Sequence, residues 1–328
     1  MSHTSVLAAL GLFLTAAAAS ACSPEEAASP PAAASVSDAD AEARRQVIAQ
    51  LATLLNQRYV FPGTALEMEQ AIRARAARGE YDGLADPATF AAALTAHLQE
   101  VSKDKHLRVR AASTAAQQPG QNPQLANFGI GKSQVLPGDV GYLEISSFSA
   151  SPAQAQQAVA DAMSPLAQKK ALILDVRRNG GGSPAMVALI ASYLFGEKPV
   201  HLSTLHIRYL NQTEHFYTDP NVPGEKFAPT KPVYVLTSRS TFSAAEGFAY
   251  HLQSLKRAVI VGEVTGGGAH AGGYLPLGSK LEVFVPSIRA TNPITGTNWE
   301  GTGVKPDIEM AEARALDAAL EAIHRSAP

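Results

Sequence analysis

At 328 residues the chain is too long for one small domain and suggests a large domain with an accessory piece. Hydrophobic residues make up 46% and charged residues 17%, enough to bury a sizeable core, which excludes global disorder. Lys plus Arg number 27 against 29 Asp plus Glu, a formal net charge of −2 with no basic footprint for nucleic acid; the single cysteine, Cys22, excludes an intramolecular disulfide and a cysteine-based zinc site.

Residues 6–21 form an almost uninterrupted apolar run that ends in the small residues Ala19, Ser20 and Ala21. The run is as long as a signal-peptide core and shorter than a membrane span of ~20 residues, so residues 1–21 read as a signal peptide. Its charged region is poor: residues 1–5 hold His3 and no Lys or Arg. Cys22 directly follows the small-residue triplet, and the segment resembles a bacterial lipoprotein signal in which that cysteine becomes the lipidated N-terminus. Ala19 stands where such signals usually carry Leu, and the alternative is ordinary cleavage after Ala21 with Cys22 as a free thiol. The expectation is an exported lipoprotein facing the periplasm and touching the membrane only through Cys22. Ser23 in place of the Asp that retains lipoproteins at the inner membrane points to the outer one. A soluble periplasmic or secreted protein is the alternative. Residues 22–37, rich in Ala, Pro and Ser, read as a tether.

Helical periodicity then begins. Val47, Ile48, Leu51, Leu54 and Leu55 predict a helix over 38–57, a second is expected over 64–77, and Asp86-Pro87 starts a third that stacks Phe90, Leu94 and Leu98. Residues 38–103 thus read as a small helical N-terminal domain, and 104–328 as an α/β core. In that core, strands are expected at 141–145, 171–176, 232–236, 258–262 and 280–289, with helices over 153–166, 184–194, 242–255 and 312–324. Residues 199–231, with His201, His206 and His215, read as an insertion with no metal-ligand spacing, and there is no HExxH.

Four places could carry chemistry. Gly131-Lys132-Ser133 superficially matches a phosphate loop, but Ala126 occupies the required upstream glycine position and the surroundings read as a surface loop, which argues against nucleotide binding. Asn179-Gly180-Gly181-Gly182, between a strand and a helix, could converge backbone amides on an anion or serve only as a tight turn. Ser243 opens a helix, so it is either a nucleophile whose neighbour Ala244 donates an amide to an oxyanion, or a helix cap. It does not lie in a Gly-x-Ser-x-Gly elbow, because Thr241 and Ala245 take the glycine positions. For a base the candidates are His106 and His270; Glu300, beside the only tryptophan, could orient a histidine or be a solvated loop acid.

The ordered set formed by His106, 172–182 (LILDVRRNGGG), 237–246 (TSRSTFSAAE), 261–270 (VGEVTGGGAH) and 298–307 (NWEGTGVKPD) resembles the tail-specific (C-terminal processing) serine protease family. Many members use a Ser–Lys dyad, but Gly268 stands at the lysine position. The chain is therefore similar to the branch containing the tricorn protease core and the interphotoreceptor retinoid-binding proteins. That resemblance implies a Clp protease/crotonase-like spiral β-β-α core. It implies Ser243 as nucleophile, His106 as general base, Glu300 as orienting acid, and Gly182 with Ala244 as oxyanion hole, acting on polypeptides without metal or organic cofactor. Lys105 replaces the serine that flanks the tricorn histidine, which leaves open how Glu300 reaches His106. The segment between His106 and Gly141 is too short for a PDZ module. His270 is the alternative base, and a non-catalytic binder of an apolar ligand or protein on the same fold is the rival function. Substrate preference and oligomeric state are not encoded in these motifs.

Overall fold

The structure, a computed structural model, describes residues 38–112 and 123–326. The expected signal peptide, Cys22 and the tether lie outside the described residues. Three helices come first: α1 (Asp38–Arg58), α2 (Pro62–Ala77) and α3 (Pro87–Ser102). Proline in the first turn starts α2 and α3 where a missing N–H costs nothing, and the Asp86 carboxylate caps α3 by accepting from the Thr89 amide at 2.8 Å.

After α3 the chain runs through β1 (Arg108–Ala111), β2 (Ile130–Leu136), β3 (Val140–Ile145), α4 (Pro152–Met163), β4 (Ala171–Asp175) and α5 (Pro184–Ser192). A hairpin of β5 (His201–Ile207) and β6 (Gln212–Tyr217) follows, then β7 (Val233–Thr237), α6 (Ala244–Ser254) and β8 (Val259–Gly262). The chain closes with β9 (His270–Leu277), β10 (Leu281–Thr291), β11 (Ile308–Glu309) and α7 (Ala315–Ser326). The fold is mixed α/β with a helical N-terminal region.

Two sheets organise it. One has the order β11-β8-β7-β4-β3-β2, parallel except for the β2–β3 hairpin pairing. β4 and β7 are buried at every position, as expected of parallel strands covered on both faces. Side chains of α4, α5 and α6 fill one face, including Val159, Ile190 and Phe248; α7 covers the other with Ala315 and Ala319. In the second sheet, β10 is the organising strand. It pairs with β9 on one side, and on the other with β1 through its first half and β5 through its second. The helical core of Leu51, Met68, Ile72 and Leu98 is continuous with Leu107, Val109, Val283 and Val285 of this sheet.

Two expectations are corrected. Residues 199–231 are not a simple insertion, because β5 and β6 extend the second sheet and Ile207 to Thr204 pair with Ile288 to Thr291. The Gly-Lys-Ser segment lies in strand β2 rather than a surface loop, held by pairing with β3.

Candidate active site

Both glycine-rich and serine-bearing turns lie at the carboxyl ends of adjacent parallel strands, β4 and β7, the usual place for a site in an open α/β sheet. Ser243 immediately precedes α6 and has φ 57° and ψ −123°. A non-glycine residue at positive φ is strained by about 1–3 kcal/mol, and such strain persists only where neighbours enforce it. Here the Phe242 amide donates to Asn179 O at 3.1 Å and the Ser243 amide to Glu246 Oε2 at 2.8 Å. The outcome matches a nucleophile elbow in geometry without its glycine pattern.

Asn179, fully buried, shapes the glycine turn: its Oδ1 accepts from the Gly181 amide at 2.9 Å and its Nδ2 donates to Ile145 O at 3.0 Å. Phe148 N donates to Gly181 O and Ser183 N to Phe148 O, a parallel bridge that turns the Gly182 amide away from Phe148. Gly182 has φ 142°, and a Cβ there would lie 2.2 Å from Phe148 C, so no other residue fits. Gly181 packs against the serine turn, since a Cβ on it would sit 2.7 Å from Ser243 Cβ and 3.0 Å from Ala244 N. Among the described residues neither the Gly182 nor the Ala244 amide has a protein acceptor, and both line one pocket with Ser243.

The Glu246 carboxylate, fully buried, ties this turn to the next glycine loop. It accepts from Thr265 Oγ1 at 2.5 Å, Gly267 N at 2.6 Å, Gly268 N at 2.9 Å and Ser243 N. Burial nevertheless pushes its pKa above the usual carboxylate range against those four donors. Gly268 has no space for a side chain: a Cβ would meet Phe242 Cζ at 2.3 Å and His106 Cε1 at 2.7 Å. The position that carries lysine in the dyad branch is therefore filled here by an aromatic ring and an imidazole.

His106 sits between α3 and β1. Its amide donates to Asp104 Oδ1 at 3.0 Å, and its ring lies 4.5 Å from Phe242 and 5.7 Å from Phe284. Burial pushes its pKa down to about 4, outweighing the Asp104 carboxylate that pulls it up. Asp104, 1% exposed, also accepts from His270 Nδ1 at 3.0 Å and Tyr59 Oη at 3.3 Å. Glu300 Oε2 accepts from the amides of Ala269 at 2.5 Å and His270 at 3.2 Å. Burial, and then the nearby Asp104 carboxylate, raise the Glu300 pKa. Among the described residues two buried side-chain atoms lack a hydrogen-bond partner: His106 Nδ1 and Glu300 Oε1. One ligand atom each from Asp104, His106 and Glu300 lie within 4.8 Å of one another. These three could in principle hold a cation, but both Asp104 oxygens already accept hydrogen bonds, which favours an orienting role over metal ligation.

The fold therefore brings Ser243, Ala244 and Gly182 together around one pocket, and His106 and Glu300 together behind Phe242 and Gly268. None of the hydrogen bonds among the described residues joins His106 to Ser243. His270 is turned toward Asp104, Glu300 and the Phe61 ring 5.2 Å away. Lys105 donates to Gly266 O at 2.5 Å and supports the same glycine loop. Sequence reasoning missed Asp104 and Glu246 as structural acids. The i, i+3 relation of Ser243 and Glu246 is the signature of a capping box and was the available signal for the second.

Residues 139–310 match the model of peptidase family S41, and residues 35–137 match the N-terminal domain of peptidase S41 in eukaryotic IRBP. The chain belongs to peptidase family S41. It is 30% identical over 178 residues to the carboxy-terminal-processing protease of Bartonella bacilliformis, covering 53% of this chain and 39% of that protein. The chain spans about two fifths of the length of the curated relatives it matches. Among solved structures, a lipoprotein from Streptococcus agalactiae is similar with a TM-score of 0.58 at 18% identity, covering 88% of this chain and 97% of that one. The tricorn protease gives a TM-score of 0.58 at 14% identity, over 87% and 36%. At these identities the likeness concerns the fold alone.

Proposed function

We propose that the chain is a serine endopeptidase that cleaves polypeptides through an acyl-enzyme on Ser243. His106 is the general base, Glu300 its orienting acid, and the Gly182 and Ala244 amides the oxyanion hole. The observation that carries this reading is the pair of buried orphan atoms, His106 Nδ1 and Glu300 Oε1, on side chains that approach each other. On this mechanism Nδ1–H donates to Glu300 Oε1, which fixes the tautomer whose Nε2 accepts the serine proton. Oxyanion donors of this kind contribute about 3 kcal/mol each. Labelling the purified chain with a fluorophosphonate probe tests the nucleophile: labelling is expected, and its absence in folded protein would favour the rival.

That rival, an apolar-ligand binder, is supported by two observations: the pocket beside Ser243 is walled mainly by apolar side chains, and Ser243 is not hydrogen-bonded to His106. Catalytic contacts in unliganded sites are often long, which is why the peptidase reading is preferred.

A base held near pKa 4 is neutral over most of the pH range and fails only when protonated. The acidic limb of kcat/KM is therefore expected below the ordinary imidazole range, activity falling as pH drops through it; a limb above about pH 7 would contradict a buried His106 as the base. Export and lipidation at Cys22 complete the proposal, supported by the apolar run before it. Incorporation of labelled palmitate in a bacterial host, lost in Cys22→Ala, is the expected result; equal incorporation by that variant would rule the anchor out.

A further inference from the structure

The pocket beside Ser243, a cavity of about 50 Å³ that opens to solvent, contains a polar group that peptide hydrolysis does not need. His251 of α6 lines it and is 5% exposed. Its proton is placed by a chain of hydrogen bonds. Asn292 Oδ1 accepts from the Ile294 amide at 2.9 Å and the Thr295 amide at 3.1 Å, so the other end of that amide, Nδ2, faces His251 Nδ1 at 3.1 Å. An amide nitrogen donates; Nδ1 therefore accepts, and the ring hydrogen resides on Nε2. A methyl group built on Gly247, itself a pocket residue, would lie 3.4 Å from Nε2. Nε2–H lies beside the Trp299 ring, which the same methyl would meet at 2.9 Å, on the Gly247 side of the pocket, and among the described residues no protein acceptor takes it up. The Ser203 side chain of β5 borders the same space, while Leu202, Leu205, Phe216 and Trp299 supply apolar walls.

A buried donor left facing an apolar group loses its hydrogen bond, whereas one met by an acceptor keeps it. Apolar walls and a ring kept neutral by burial offer no counter-charge, so a charged end group is disfavoured as well. Resting on Ser243 as the nucleophile, we propose that His251 is a specificity-determining residue. Its Nε2–H selects substrates whose side chain on the acyl side of the scissile bond is uncharged and ends in a hydrogen-bond acceptor. A tyrosine hydroxyl or a glutamine amide is thereby preferred over its apolar counterpart.

The test uses the purified chain and fluorogenic peptides identical except at that position, in the pairs Tyr/Phe and Gln/Met. Wild type is expected to favour Tyr and Gln by about tenfold in kcat/KM, the worth of one neutral hydrogen bond. In His251→Phe both ratios should fall to about one. His251→Gln, which can accept from Asn292 and still donate into the pocket, should restore them. Equal rates within each pair in wild type would overturn the proposal even if His251→Phe fails to fold. Fluorophosphonate labelling separates the two failures: a labelled wild type with flat ratios rejects His251 alone, and an unlabelled one rejects the nucleophile and this proposal together.

Discussion

Ser243→Ala and His106→Ala are each expected to lower kcat/KM by about 10⁴-fold or more. On the proposed mechanism hydroxyl and imidazole act as one unit, so removing either leaves only the oxyanion amides and substrate binding to assist water. The two losses should not add in the double variant, because the second deletion removes a partner with nothing left to serve. Steady-state cleavage of a peptide by the two single variants and the double variant decides this. Additive losses, or a His106 variant within tenfold of wild type, would move the base elsewhere, and His270 is badly placed to replace it, being held by Asp104.

Glu246→Leu is expected to be the most damaging substitution outside the reacting groups, at about 4 kcal/mol of stability. It would strand four buried donors at once: the amides of Ser243, Gly267 and Gly268 and the Thr265 hydroxyl. Thr265 Oγ1 already accepts from Val304 N at 2.7 Å, so its hydrogen has nowhere else to go without breaking a second contact. Glu246→Gln should cost less but not nothing. In one orientation its NH₂ group confronts two backbone N–H groups, and in the other it confronts Gly267 N–H. Since the carboxylate also holds Ser243 at positive φ and Gly268 against His106, kcat/KM should fall at least about a hundredfold in the leucine variant through misplacement alone. Urea unfolding with kinetics on both variants measures this; a leucine variant as stable as wild type would show that water or relaxation replaces the carboxylate.

The helices and the parallel strands followed from periodicity because each depends on local pattern: α3 on Asp86-Pro87, β4 and β7 on short apolar runs. The hairpin of β5 and β6 did not, since β6 is exposed at five of its six positions and carries no alternation to read. Ordered motifs pointed to Ser243, His106 and Glu300. Motifs do not show that Asp104 holds His270, that Lys105 supports Gly266 O, or that Phe242 packs on His106, because these contacts join residues far apart in the chain. The glycine at 268 was read as a missing lysine; in space it is the gap that admits two rings.

The pairing of β1 with β10 also bears on when the proposed hydrolytic centre comes into being. Among the described residues β1 has no strand partner other than β10, and Glu300 lies beyond both. A ribosome or an export channel releases His106 long before it releases Leu281–Thr291, and Glu300 later still. Until that late stretch emerges, the imidazole has neither its sheet nor its acid. On the proposed mechanism a nascent chain has no assembled hydrolytic centre before that stretch emerges.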